Sequence, residues 1–287
     1  MPASQPTLIA VDIGNSSLRV GEFNVTTTSS RMVPERVKEW GIEDNSFEQL
    51  YSWLPAAPVH WAVSSVNRPL EQNLAKWHQI HRPNDEYHLL SHTDVSLKID
   101  LDQPDRIGMD RLAAAVAADA IRHKDRAIIV VDAGSAITVD IVSADSVFLG
   151  GAILPGLAMA AEALHFRTDQ LPDIQQERPI LRFREQGSPP DTKSATPLGA
   201  YNSPLSPIGK STDDAIRSGL VWGTVGALRF LIQQMEKNFD KSPDVVFAGG
   251  DATLLAPLVQ LKPVSYPNLV LKGIALIQYQ RKPITES

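Results

Sequence analysis

Residues 8–20 read Leu8-Ile9-Ala10-Val11-Asp12-Ile13-Gly14-Asn15-Ser16-Ser17-Leu18-Arg19-Val20. The first four form a short apolar run, the run stops at an acid and a glycine, and Leu18, Val20 and Phe23 then alternate with other residue types. A continuous apolar run predicts a strand buried on both faces, and the alternation predicts a returning strand, so the stretch is a β-hairpin with a polar tip. The pattern recurs once. Ile128-Ile129-Val130-Val131 runs into Asp132-Ala133-Gly134-Ser135, and Ile137, Val139 and Ile141 alternate afterwards. One such unit near the start of each half predicts a duplicated α/β architecture whose two halves face each other across a cleft.

Working outward, residues 110–121 are rich in alanine and leucine, the strongest helix formers, with Arg122, His123 and Lys124 where positive charge suits a helix C-terminus. This helix closes a first domain over residues 1–122 and leaves 123–287 as the second. Between 165 and 210 stand seven prolines, Pro172, Pro179, Pro189, Pro190, Pro197, Pro204 and Pro207, which predict a long irregular excursion. Residues 211–239 then carry Ile216, Leu220, Val221, Val225, Leu228, Leu231 and Ile232 at helical spacing, with Thr212-Asp213-Asp214 as the helix start. Val245-Val246-Phe247-Ala248 is a further strand running into Gly249-Gly250.

The composition excludes several function classes. With 33 acidic against 27 basic residues and a formal charge of −6, the chain has the wrong sign to hold nucleic acid by neutralising phosphates, which leaves a small molecule as the expected partner. It contains no cysteine, which removes disulfides and thiolate metal sites. The first residues, MPASQPT, lack the basic and apolar stretches of a signal peptide, and no uninterrupted apolar run approaches the roughly 18 residues that span a bilayer, so a cytoplasmic protein without a membrane partner is expected. Gly209-Lys210-Ser211-Thr212 echoes the end of a P-loop, yet proline occupies position 204 where the first glycine belongs. Gly14 has no partners for a dinucleotide fingerprint, the seven histidines show no metal-ligand spacing, and no Gly-x-Ser-x-Gly elbow occurs.

What remains is the chemistry of the two tips. A strand that ends in Asp-x-Gly-Asn-Ser sets a carboxylate beside a tight turn of outward N–H groups and hydroxyls, the makings of a phosphate cradle with a cation-binding edge. Ser16, Ser17 and Arg19 are the donors at the first tip, Ser135 and Thr138 at the second. A single Asp-x-Gly is also an ordinary hairpin turn, and Asp140 reads equally well as a polar residue on an exposed strand edge. Gly108-Met109-Asp110-Arg111 opens the first apolar helix, where an aspartate is commonly a cap. Arg111 opposes the positive end of the helix dipole, which points to an anion nearby. Gly150-Gly151-Ala152-Ile153-Leu154-Pro155-Gly156 is either a place where backbone approaches a ligand or a tight strand-to-helix turn.

In order and spacing, DIGNSSLR at 12–19, GMDR at 108–111, DAGSAITVD at 132–140, GGAILPG at 150–156, GKST at 209–212 and AGG at 248–250 resemble the successive motifs of the type III pantothenate kinases, over nearly the whole chain. The resemblance implies a duplicated ribonuclease H-like, actin-like ATPase fold, a homodimer, and transfer of the ATP γ-phosphoryl to pantothenate with Mg2+ and a monovalent cation, K+ or NH4+. Carried over by position, it implies that Asp12, Ile13, Gly14, Asn15, Ser16, Ser17, Leu18 and Arg19 form the ATP phosphate loop, with Asp12 holding the magnesium nucleotide directly or through water. Asp110 matches the general base, and Gly108, Met109, Asp110 and Arg111 the pantothenate-binding stretch. Asp132 matches the monovalent-cation ligand, Ser135 an ATP contact and Thr212 a further pantothenate contact. Departures from the family pattern are Ser16 and Ser135 in place of threonine, Leu101 in place of a substrate-contacting tyrosine, and a surface insertion near 182–204. The competing readings are a regulatory protein that keeps the nucleotide fold without turnover, and another kinase or phosphatase of the superfamily.

Overall fold

A computed structural model describes residues 7–24, 32–42, 46–174, 206–259 and 264–281. Most of the proline-rich excursion, including the insertion near 182–204, lies outside them. Strand β1 (Thr7–Ile13) pairs antiparallel with β2 (Ser17–Asn24), which pairs antiparallel with β3 (Arg36–Gly41). Helix α1 (Ser46–Trp53) leads to β4 (His60–Ser65), helix α2 (Arg68–His81) and β5 (Glu86–Leu89), and β1, β4 and β5 are parallel neighbours. The sheet order is β3-β2-β1-β4-β5. This explains why β1 is a continuous apolar run: it is the middle strand, covered on both faces.

The short β6 (Lys98–Ile99) and helix α3 (Met109–Asp119) precede the second unit. There β7 (Ile128–Ala133), β8 (Ala136–Val142) and β9 (Val147–Pro155) run antiparallel in turn. Helices α4 (Leu157–Arg167) and α5 (Thr212–Glu236) follow, then β10 (Asp244–Ala248), α6 (Ala252–Val259), β11 (Val264–Ser265) and α7 (Leu269–Arg281). The sheet order is β11-β10-β7-β8-β9-β6, with β10 parallel to β7 and β11 parallel to β10. Read from β9 to β11 this repeats the order and strand directions of the first sheet, so the fold is a duplicated ribonuclease H-like one, the actin-like ATPase architecture.

Two helices join the halves. Leu8, Ala10 and Ala62 of the first sheet and Ile128, Val130 and Val246 of the second enter one core with α3 and α7 between them. Residues 112–118 of α3 are all buried, and the run of alanines keeps the helix thin enough for α7 to press against it. At the crossing Gly273 allows no side chain, because a Cβ there would strike the carbonyl of Ala113. The outer face of the first sheet is closed by α1 and α2 through Leu50, Leu54, Trp61 and Leu74. That of the second is closed by α5 and α6 through Val221, Val225, Leu228 and Leu255. By length and composition α5 also has the makings of a membrane span, but its apolar stripe of Ile216, Val221, Val225, Leu228 and Ile232 is buried in the protein.

The glycines at 150 and 151 lie inside β9 rather than in a strand-to-helix turn. Gly150 takes φ +93° beside an irregularity in the β8–β9 pairing, and Gly156 caps α4. Ser211 caps α5 by accepting the N–H of Asp214 at 3.1 Å, one residue before the expected start.

Candidate active site

The two hairpin tips meet. At the first, the Gly14 N–H donates to the Ser17 carbonyl (2.9 Å); at the second, the Gly134 N–H donates to the Ala136 carbonyl (3.1 Å). Each turn exposes its serine, and the hydroxyls of Ser16 and Ser135 are hydrogen-bonded to each other at 2.9 Å across the cleft. Asp12 and Asp132 each stand one residue before the end of their strand, on the faces that carry Leu8 and Ala10 in one sheet and Ile128 and Val130 in the other. Those are the faces turned toward α3, so the two carboxylates approach the helix N-terminus that carries Asp110.

Helix α3 starts from Gly108, where a Cβ would collide with the Asp110 carboxylate. Asp110 accepts the Arg111 backbone N–H at 2.8 Å. It therefore occupies the first turn as a cap would, while its carboxylate faces the cleft. The electrostatics place all three acids in one locale. Asp12 is pushed up to about 7, first by burial and then by the charges of Asp110, Asp132 and Glu39, with Arg19 opposing. Asp132 is pushed up to about 6 by burial, Asp110 and Asp140, again against Arg19. Burial also raises Asp110, opposed by the Arg111 N–H and guanidinium. Each acid retains some contact with solvent through the cleft.

Arg19, opposite Asp12 in the β1–β2 register, donates to Asn268 Oδ1 at 3.1 Å and lies 3.4 Å from Glu39. Its Nε is the atom that faces Glu39, as an ion pair without a hydrogen bond, and the buried hydroxyl of Ser64, which neighbours Asp12 on β4, has no hydrogen bond either. Gly249, at φ +87°, brings the turn after β10 against the same place, since a Cβ there would strike Ala133 and the Asp132 carboxylate. Three buried carboxylates with raised pKa values, the unpaired Ser64 hydroxyl and the Arg19 guanidinium in one locale fit a cation and an anion bound together.

Of the expected site residues, the structure brings together Asp12, Ser16, Arg19, Asp110, Arg111, Asp132 and Ser135. Ile13 and Leu18 are fully buried in the core under α1 and α2, and Met109 is a core residue of α3, so the cleft sees only their backbone. Thr212 stands exposed at the start of α5 and shares no hydrogen bond or ion pair with the carboxylates. Among the described residues no group of three or more His, Asp or Glu is arranged to hold a metal on its own.

Sequence reasoning missed two polar neighbours of these acids and left a third open. Asn268, in the left-handed region at φ +62°, gave no local signal. Ser64 looked like any strand serine. Asp140 is not on an exposed edge: it is 2 % exposed and ion-paired with Arg111. The hairpin register held the signal, because Thr138 pairs with Asp132 and Asp140 follows two residues later on the same face. The cavity of about 220 Å³ lined by His60, Glu86, Gln278 and Arg281 is a different place, at the strand ends opposite the carboxylates.

Residues 8–234 match the family model of type III pantothenate kinase. The chain is 28% identical to the type III pantothenate kinase of Desulfatibacillum aliphaticivorans, covering 94% of this chain and 97% of that one. Those of Chlorobium luteolum and Listeria monocytogenes are each 29% identical, with coverage of 95% and 97% of this chain and 93% and 99% of theirs. Among solved structures, ethanolamine utilization protein EutJ from Carboxydothermus hydrogenoformans superposes with a TM-score of 0.49 at 14% identity, over 96% of this chain and 92% of that one.

Proposed function

The chain belongs to the type III pantothenate kinase family, and from that membership we propose how its residues divide the work of phosphoryl transfer. The reaction is ATP-dependent phosphorylation of pantothenate to 4'-phosphopantothenate, the first step of coenzyme A synthesis. The observation that carries the assignment of roles is the convergence of Asp12, Asp110 and Asp132 from two homologous hairpins and one helix N-terminus. Phosphoryl transfer asks the protein for in-line positioning and charge neutralisation, and for a carboxylate that accepts the proton of the attacking hydroxyl.

Asp110 is that base. It lies in the first turn of α3, and its raised pKa makes it a stronger proton acceptor than a solvated aspartate. The loop 12–19 and Ser135 bind the ATP phosphates: the backbone N–H groups around Gly14 and Asn15 and the hydroxyls of Ser16, Ser17 and Ser135 are the donors, and Arg19 adds positive charge. Asp12 holds Mg2+ directly or through water, and Asp132 holds K+ or NH4+. When bound, these cations neutralise phosphate charge, and the elevated pKa values of both carboxylates support such partners. Gly108, Met109 and Arg111 hold pantothenate, with Thr212 as a further contact.

We divide the chain into domains at about residue 122. We also propose a homodimer, supported by the outer face of α5, where Gly219, Gly223 and Gly226 leave an open stripe, and by Phe230 and Phe166, exposed at 61% and 73%. ATP as donor supports a cytoplasmic enzyme. The deciding test is a coupled ADP assay with Mg2+ and K+, comparing pantothenate with hexoses and with no acceptor. Pantothenate-dependent turnover is expected; turnover with hexose alone would overturn the assignment.

A further inference from the structure

We propose that Asp140 is a positioning residue that holds the Arg111 guanidinium away from the neighbouring Asp110, so that Arg111 stays available to the acceptor substrate and Asp110 stays available as base. The inference rests on the pantothenate site assigned above. Two carboxylates compete for Arg111. Asp110 is adjacent in sequence, yet the side-chain hydrogen bonds all go to Asp140: Arg111 Nε lies 3.1 Å and 3.2 Å from its two oxygens, and Nη2 donates to Oδ1. Nη1 has no protein partner among the described residues, which leaves one edge of the fork for a ligand.

Asp140 is built for this task. It extends from β8 on the face toward α3, and Thr138 stands two residues earlier on that face, where its hydroxyl favours the charged form of the carboxylate. Its strand partner is Gly151, where a Cβ would collide with both Val139 and the Asp140 carboxylate, so the glycine clears the space the acid occupies. The Arg111 guanidinium lies over the Phe148 ring at 5.9 Å, which fixes the plane of the fork. With side-chain exposures of 2% for Asp140 and 18% for Arg111, the pair is shielded from the solvent that screens surface ion pairs. Without Asp140, the Asp110 carboxylate is the remaining partner within reach of a buried guanidinium. The collapse of Arg111 onto it would take away an acceptor contact and occupy the base together.

The test is a double-mutant cycle of Asp140→Asn and Arg111→Gln, read as separate Michaelis constants for pantothenate and ATP. Asp140→Asn is expected to raise KM for pantothenate by on the order of tenfold or more, as befits a broken buried pair, with KM for ATP within about twofold of wild type. In the Arg111→Gln background the same change is expected to alter pantothenate KM by less than about twofold, because Asp140 then has nothing to hold. Multiplicative effects in the double variant would overturn the proposal, since they mark a purely structural aspartate. Should Asp140→Asn fail to fold, Thr138→Val loosens the same carboxylate, and a rise in pantothenate KM confined to the Arg111-containing background is expected; equal rises in both backgrounds count against the idea. The Arg111 Nε–H resonance of the substrate-free protein gives an arm independent of turnover. It is expected to be sharp and slowly exchanging in wild type and lost in Asp140→Asn or Thr138→Val; its persistence overturns the proposal. A wild type inactive with pantothenate would instead sink the functional reading and leave this arm to decide the positioning one.

Discussion

At the scale of single residues the site is paid for in stability, and Asp12 shows the sign. Its pKa is about 7 in the folded chain against an ordinary 3.8, raised mainly by burial. Between those values the folded state binds more protons than the unfolded one, so this contribution favours the fold at low pH and is lost as pH rises toward 7. The nucleotide-free protein is therefore expected to lose thermal stability between pH 5 and pH 8, and Asp12→Asn to flatten that loss and melt higher at pH 8. The same variant is expected to use Mg-ATP poorly, because an amide is a weak partner for a hard dication. A calorimetric pH series identical to wild type would refute the burial argument. Asp110→Asn keeps size and helix position but removes the proposed proton acceptor, so kcat should fall by about 10²-fold or more while pantothenate and ATP still bind in calorimetry. Unaltered turnover would show that another group takes the proton. Leu101, where the family resemblance implies tyrosine, is half-buried beside Gly150, its Cδ2 3.1 Å from where a Cβ would stand. Leu101→Tyr is expected to lower pantothenate KM several-fold, the worth of about 0.5–1.5 kcal/mol for one neutral hydrogen bond. A lowered melting temperature with unchanged KM would instead mark Leu101 as a packing residue.

Among the elements, the hairpins and α3 were legible because their signals are local. The apolar run of β1, the Leu18/Val20 pair two residues apart that faces α1 and α2, and the alanine run of α3 are local signals, while Phe23 falls on the other face of β2, toward α3 and α7. Elements whose placement depends on distant partners were not legible. The two-residue β6 joins the second sheet by pairing with β9, although it precedes α3 in the chain, and α7 returns from the end of the chain to pack on α3 and the first sheet. The α3–α7 crossing predicts a sharp effect at one position. Gly273→Ala forces a methyl against the Ala113 carbonyl, and a loss of about 1–3 kcal/mol is expected from the shift in urea midpoint at constant m. A neutral substitution would mean that the helices can part without cost.

For the whole molecule, the homodimer reading makes α5 the place to look. Gly223→Arg sets a long charged side chain in a stripe where nothing lies within 4 Å, so the monomer should fold normally while the sedimentation mass falls to that of one chain. A mass unchanged from wild type would move the interface elsewhere. The sequence by itself determined the two strand–turn–strand units and the family, and singled out Asp12, Asp110 and Asp132 as candidates, because each motif is a few consecutive residues whose backbone preferences and polarity act locally. Only the tertiary structure decided that the two serine tips touch, that Asn268 reaches Arg19, and that Arg111 pairs with Asp140 rather than with its neighbour Asp110. Those choices follow from how two sheets close on α3 and α7, where burial and long-range charge, not local propensity, select the partner of each polar group.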